Sequence, residues 1–436
     1  MNRLTLPLLV FSLVAVSCGR GLDPEAAGTT TSTSTSTTTT LAAEVVDTTP
    51  PARLLVWSEP DAVPIVTATA DAFTKALGIE VDVEAVPLNE LEGRLATAQG
   101  PDVFTGSHTW LSRLAPGGIA VPIALESRAA EFEATAIEAF TVDSQILGVP
   151  YVMEAPVLLR NTELIPDDPG AFSQIKTTCE GLFSTGEESE DTEETTTTIE
   201  ATTTTEGEVA DGTSCMLLIP GDVTTSLPFL TAAGGYLYGT AEDGTLDPTD
   251  IGIAGDGSTA GAEFLRGLIS DDVIDTAEDP LSIAARIAAS DAAFTMGGRE
   301  MVSALNEAGA PFSASPLPFM SGNTPSPYVD VRGFMIAGRS DQQEAAALFV
   351  TDWLAGPQPL AELPLALDAS PALSPELEID AIEQAFLVST ANGTPTPRVR
   401  TVESDLATLG PLLAGLFDLE LDAAEVLSGA AAAFGG

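Results

Sequence analysis

Positive charge is what this sequence has least of. Lysine occurs twice, as Lys75 and Lys176, and lysine plus arginine number 16 against 64 aspartates and glutamates, a formal net charge of −48. Such a surface repels nucleic-acid phosphates and anionic membrane, which excludes a nucleic-acid partner. Histidine occurs once, at His108. That excludes a multi-histidine metal site and leaves one candidate base for a Ser-His-Asp arrangement. The sequence has no Gly-Lys-Ser/Thr phosphate loop and no nucleophile elbow. Carboxylate pairs of the glycosidase kind arise by chance among 64 acids and argue for nothing. No enzymatic activity, metal or cofactor is expected.

Cysteine is scarce too: Cys18, Cys179 and Cys215. Cys18 follows Arg3 and an apolar run, Leu4 to Val16, too short to span a bilayer, which takes about 20 residues. This reads as a signal peptide over 1–17. Ala15-Val16-Ser17-Cys18 resembles the lipobox of bacterial lipoproteins, which implies a lipid on the Cys18 sulfur and attachment to the membrane. A Thr/Ser-rich stretch follows, so 18–51 reads as an anchor and disordered tether, too poor in apolar residues to build a core. No later run is long and apolar enough to cross a membrane.

Cys179 and Cys215 form an even pair in an exported chain. Between them, 184–213 is a Glu/Asp/Thr run that cannot fold alone. We expect a Cys179–Cys215 disulfide at the base of this acidic insertion; the alternative is two free buried thiols. The run lacks the fixed ligand spacing of a calcium site and reads as solvated loop.

The remainder is 44% hydrophobic over the chain and long enough for two lobes. Leu54-Leu55-Val56-Trp57 reads as a buried strand. Val66, Ala70, Phe73 and Leu77 recur at helical spacing, with Gly78 as the stop. Ile79, Val81 and Val83 alternate as a second strand. Leu91, Leu95 and Ala98 mark a second helix, and Asp102-Val103-Phe104 opens a third strand. Strand–helix alternation predicts an α/β fold with mostly parallel sheets, helices on both faces and ligand loops beyond the carboxyl ends of the strands. Later, Phe264, Leu265, Leu268 and Ile269 share a helix face, Ala292 to Met296 is a strand, and the last 60 or so residues read as Ala/Leu-rich helices.

At this point a family resemblance enters. Leu55-Val56-Trp57, the Thr74-Lys75-Ala76-Leu77-Gly78-Ile79-Glu80-Val81 turn, Gly100-Pro101-Asp102-Val103-Phe104, Gly148-Val149-Pro150 with Glu154, and Asn161 occur in order. Leu227-Pro228-Phe229-Leu230, Ala233-Gly234-Gly235-Tyr236, Phe294-Thr295-Met296-Gly297-Gly298 and Thr394-Pro395-Thr396-Pro397 continue the series. Over 52–183 and 214–434 the chain resembles the extracellular solute-binding proteins of ABC importers of the maltose/maltodextrin-binding type. The resemblance implies a two-lobed periplasmic-binding-protein fold of type II with the ligand cleft between lobes that close about a hinge. It implies one lobe from 52–152 plus 332–368 and another from 153–331 plus 369–436. It also implies a monomeric receptor that delivers a carbohydrate to a membrane permease.

Sugar sites need aromatic faces and planar polar groups that bind hydroxyls in pairs. Glu154, Asp61 and Asp222 fall at the family's contact positions. Glu154 sits in an apolar frame, where a carboxylate needs a reason; Asp61 and Asp222 could equally cap a turn and a helix. His108, Thr109 and Trp110 form the loop after the third strand. A lone histidine such as His108 usually reads as a hydrogen-bonded structural residue, and Trp110 reads equally as a core or lobe-surface residue. Arg299 and Glu300 follow Gly297-Gly298 at another cleft position. Where the maltodextrin binders carry Asp-Arg, a cleft Lys, a Tyr and a C-terminal Trp, this sequence has Thr109-Trp110, Ala62, Thr224 and Leu406. With most stacking aromatics missing, a smaller or more polar solute fits the substitutions better than a linear maltodextrin. A non-sugar polar solute, or a surface adhesion lipoprotein on the same fold, are the alternatives.

Overall fold

The structure, a computed structural model, describes residues 53–95, 100–183, 214–241, 245–320, 322–373 and 379–434. The expected signal peptide over 1–17, Cys18, the expected tether over 18–51 and the expected insertion over 184–213 lie outside the described residues.

The chain begins as its apolar periodicity predicts. Arg53–Ser58 is a strand, Val63–Leu77 a helix and Glu80–Ala85 a second strand paired in parallel with the first. Gly78 ends the helix at φ 73°, its N–H donating to Thr74 O, a left-handed cap that glycine adopts without steric penalty. Val66, Ala70 and Phe73 are buried, whereas Leu77 is 46% exposed; the stripe runs out one turn before the cap. Leu88–Leu95 follows, and Val103–Ser107 pairs in parallel with the opening strand.

The first sheet is completed by Val149–Glu154 and Ser370–Pro371, and by Tyr328–Ile336, which arrives from the other lobe. Its order is Ser370–Pro371, Val149–Glu154, Tyr328–Ile336, Val103–Ser107, Arg53–Ser58, Glu80–Ala85. Tyr328–Ile336 runs antiparallel to both of its neighbours. The second sheet is ordered Ile274–Thr276, Ser214–Leu218, Ala292–Gly297, Val157–Asn161, Phe312–Ser315, the first three parallel and the last two joined antiparallel. Each sheet is therefore mixed, which corrects the expectation of mostly parallel sheets. Strands inside a βαβ unit are parallel because the crossover returns them to the same end. A strand entering from the other lobe is free of that constraint.

Each sheet has its own core. Leu54, Val56, Phe73, Phe104, Phe140, Tyr151, Phe334 and Phe349 belong to one buried cluster, while Phe172, Phe229, Leu265, Phe294, Leu409 and Leu427 belong to another. Two packed cores of this kind, each an α/β layer, make a two-lobed α/β protein. The C-terminal helices Ala381–Asn392, Val402–Leu413 and Ala423–Ala433 are present as read from the Ala/Leu pattern. Cys179, on the helix Phe172–Phe183, is bonded to Cys215, on the strand Ser214–Leu218, with Cα atoms 5.5 Å apart. The expected disulfide is there, and both cysteines are buried in the second lobe's core.

Candidate functional site

Crossing strands join the lobes and wall the cleft. Val149–Glu154 ends in the first sheet, and after Ala155-Pro156 the chain enters Val157–Asn161 of the second. Tyr328–Ile336 returns it, and its first two residues also pair with Thr394–Pro395. Against these strands lies a cavity of about 640 Å³, within the usual range for a small-molecule site. Glu154, Tyr328, Asp330 and Thr396 line it from the crossing segments. The second lobe adds Asp222, Thr224 and Leu227, the turn Gly297-Gly298-Arg299-Glu300, and Leu406, while Asp368 comes from the end of a helix packed on the first core.

Three helices begin at this cavity. Asp222 caps Val223–Ala232, with Oδ1 accepting from Thr224 N at 2.9 Å and Oδ2 from Thr225 Oγ1 at 3.1 Å. Asp279 caps Pro280–Ala288 through a reciprocal box with Ser282. Arg299–Ala308 starts after Gly298 without a side-chain cap, and Glu300 stands in its first turn. For Asp222 the capping role and the cavity position coexist, because a carboxylate has lone pairs left after two bonds.

Glu154 stands at the end of a crossing strand. It lines the cavity and receives Arg332 Nη2 at 2.8 Å. Burial beside the strands raises its carboxyl above the ordinary range; Arg332 pulls it down and the neighbouring Asp330 pushes it up. Arg332 also donates to the buried Glu59 at 2.5 Å, and Glu59 accepts the Tyr151 hydroxyl at 2.5 Å. Glu59, Asp330 and Arg332 escaped the sequence reading. Their only signal was adjacency: Glu59 precedes the proposed Asp61, and Asp330 and Arg332 alternate on one strand face.

Arg299 and Glu300 also line the cavity. Arg299 is already committed. Its Nη2 donates to Glu383 at 2.5 Å and to Ser370 Oγ at 2.8 Å, and the guanidinium lies 3.9 Å over the Phe386 ring. The Ser370 bond joins the second lobe to the first sheet, and Ser303 Oγ donates to Asp368 Oδ2 at 2.9 Å, just before that strand. Thr109 and Arg113 reach the other lobe at a second place: Thr109 Oγ1 donates to Glu403 at 3.0 Å and Arg113 Nη1 to Arg400 O at 2.7 Å.

The other expected contacts do not line the cavity. Asp61 is exposed in a single helical turn, Pro60–Ala62. His108 is buried; its Nε2 lies 2.9 Å from Thr396 O and Val331 N–H reaches its Nδ1 at 3.2 Å. The neutral Nε2–H tautomer satisfies both bonds, and burial holds the ring's pKa below its ordinary value. Trp110 is 6% exposed and packs against Gly106, where a Cβ would lie 2.4 Å from the indole. Thr109 is buried at the lobe contact already described. Trp57 likewise sits in the first core, donating its Nε1–H to Glu84 at 3.0 Å. Among the described lining residues, Tyr328 is the one aromatic; burial pushes its hydroxyl up to about 12, and that oxygen accepts Leu237 N–H at 3.0 Å.

Two α/β lobes, connected by crossing strands that wall a cavity with Glu154, Asp222, Glu300, Asp330 and Asp368 in its lining, define a solute receptor of the periplasmic-binding kind. The bacterial extracellular solute-binding protein family matches residues 68–374, and the chain belongs to that family. It is 22% identical over 306 residues to the galactooligosaccharide-binding protein of Bacillus subtilis (strain 168), covering 68% of this chain and 67% of that one. It is 23% identical over 355 residues to the maltotriose-binding protein of Pyrococcus abyssi (strain GE5 / Orsay), covering 77% and 70%. The fold matches the crystal structure of a cyclo/maltodextrin-binding protein complexed with maltotetraose at a TM-score of 0.72 and 18% identity, over 87% of this chain and 96% of that one.

Proposed function

We propose that the protein binds a carbohydrate in the cleft and presents it to the permease of an ABC importer, held at the outer face of the membrane by a lipid on Cys18. The observation that carries this reading is the cavity of about 640 Å³ lined by side chains from both lobes and from the strands that join them. Closure of two lobes on a solute needs contacts that exist only in the closed state, and a site split between lobes supplies them. Glu154, Asp222, Glu300, Asp330 and Asp368 offer acceptors for sugar hydroxyls, and Tyr328 offers one ring face. A site with one aromatic and many acceptors suits a short polar sugar better than a long glucan. The sugars named for the two relatives, galactooligosaccharide and maltotriose, support the same class.

Thermal unfolding in the presence of a panel of mono-, di- and trisaccharides tests the reading. A specific sugar at a hundred times its dissociation constant stabilises by about 2.7 kcal/mol, and the bound protein scatters as a more compact particle. A panel that leaves both melting and scattering unchanged overturns the carbohydrate reading.

A further inference from the structure

The charge of the cavity is lopsided. Glu154, Asp222, Glu300, Asp330 and Asp368 line it against the single guanidinium of Arg299, which is bound to Glu383. The three helix N-termini, which would favour an anion, are already met by carboxylates: Asp222 and Asp279 as caps and Glu300 in the first turn.

Two of these acids form a like-charge pair in the sheet. Asp330 and Glu154 stand directly opposite each other where Tyr328–Ile336 pairs with Val149–Glu154. Like charges at opposed positions destabilise a ladder. Arg332, two residues along the same strand face, relieves Glu154 and Glu59 but makes no bond to Asp330. Asp330 is exposed and has no ion pair among the described residues. Asp330 thus presents uncompensated negative charge at the cavity wall beside Glu154, whose pKa it raises. A neutral sugar leaves that repulsion in place; a cation removes it.

We infer that the cleft selects an amino sugar over a neutral one, with the protonated amine seated between Asp330 and Glu154. This rests on the carbohydrate reading above and narrows it. An ammonium is a compact donor of three hydrogen bonds, suited to two carboxylates on one strand pair. The surrounding negative potential also raises the local concentration of a cationic solute.

Calorimetric titration at pH 6 with three disaccharides of the same β-1,4 linkage tests it: the glucosamine dimer, its N-acetylated counterpart and cellobiose. The amine is expected to bind at least tenfold more tightly than either neutral sugar. Asp330→Asn is expected to abolish that preference while the sugar-free variant melts no lower than the parent, since it loses a like-charge pair. Asp71→Asn, an exposed change on the helix Val63–Leu77 away from the cavity, is expected to keep the preference; it controls for general attraction to an acidic surface. Equal affinity for all three sugars, tighter binding of a neutral one, or an amine preference that survives Asp330→Asn overturns the inference and leaves the carbohydrate reading standing. So does a clear drop in melting temperature for the sugar-free Asp330→Asn protein, which would make Asp330 a structural group. Absence of binding by all three probes overturns it as well, and the wider sugar panel then decides whether the carbohydrate reading falls with it.

Discussion

Arg332 lies 2.5 Å from Glu59 and with its other nitrogen 2.8 Å from Glu154, so one guanidinium ties a buried acid to an acid of the cavity wall. The two ends of this fork are unequal. Glu59 is buried and has no water to fall back on, whereas Glu154 opens on the cavity. Removing Arg332 therefore strands Glu59 far more than Glu154. Arg332→Met is expected to destabilise the protein by about 3–5 kcal/mol, the usual result of leaving a buried charge unpaired. The double variant Glu59→Leu/Arg332→Met should recover much of that, because an apolar pair of similar size needs no solvation. Urea unfolding of the single and double variants measures both. A double variant as unstable as the single would show that the network does more than neutralise Glu59.

The sequence points to both Trp110 and Glu154 as ligand contacts, and their surroundings separate them. Trp110 is in the first core against Gly106; Glu154 faces the cavity. Trp110→Ala should cost about 3–5 kcal/mol of stability, as large-to-small core changes do, with sugar affinity changed by less than about threefold at a temperature where the variant is folded. Glu154→Gln should behave in the opposite way. Losing a charged acceptor for a hydroxyl weakens binding by about 1.5–3 kcal/mol, which is roughly ten- to a hundredfold, with little change in melting temperature. Pairing calorimetry with thermal unfolding on both variants checks the exchange of roles.

What the chain order reveals about this molecule is what depends on near neighbours. The helix Val63–Leu77 could be bounded from Val66, Ala70, Phe73 and Gly78 because its core face and its stop signal lie within one stretch. The cysteine pair was legible by count. The Glu59–Arg332 bond joins residues 273 apart and the Asp330–Glu154 opposition depends on the register of two strands. Neither follows from spacing, since only the fold brings those strands together. Trp110 misled for a related reason. It follows a strand on a helical turn, where ligand loops also occur, and its burial is decided by Gly106 on the preceding strand. The antiparallel crossing strands were missed because alternation of strand and helix speaks only for strands joined by a crossover within one lobe.

The Cys179–Cys215 bond spans 36 residues of sequence and links a helix to the neighbouring strand in the second lobe's core. Cross-linking limits the unfolded chain, and for this separation the chain-entropy account gives about 3–4 kcal/mol. The Cys179→Ala/Cys215→Ala variant should be less stable by that order, and dithiothreitol should lower the midpoint of urea unfolding of the parent but not of the variant. An identical midpoint for the parent with and without reductant, after complete reduction is verified by thiol labelling, would place the stabilisation elsewhere.

His108 gives the fold a dependence on pH that is separate from the carboxylates. Its ring is buried, bonded as the neutral form to Thr396 and Val331, and its pKa is lowered from the ordinary 6.5, chiefly by burial, with Asp330 opposing the shift and Arg398 adding to it. A group whose pKa is lower in the folded chain binds more protons when unfolded, so stability rises with pH across the interval. The contribution is fully present above the unfolded value of about 6.5 and is lost as pH falls below it. His108→Gln should therefore be less stable than the parent at pH 7.5, and the gap between them should narrow at pH 5. Because the carboxylates titrate in both proteins, the difference between the two urea curves isolates the imidazole. A gap that is constant or widens toward pH 5 would contradict a ring held neutral at the junction of the lobes.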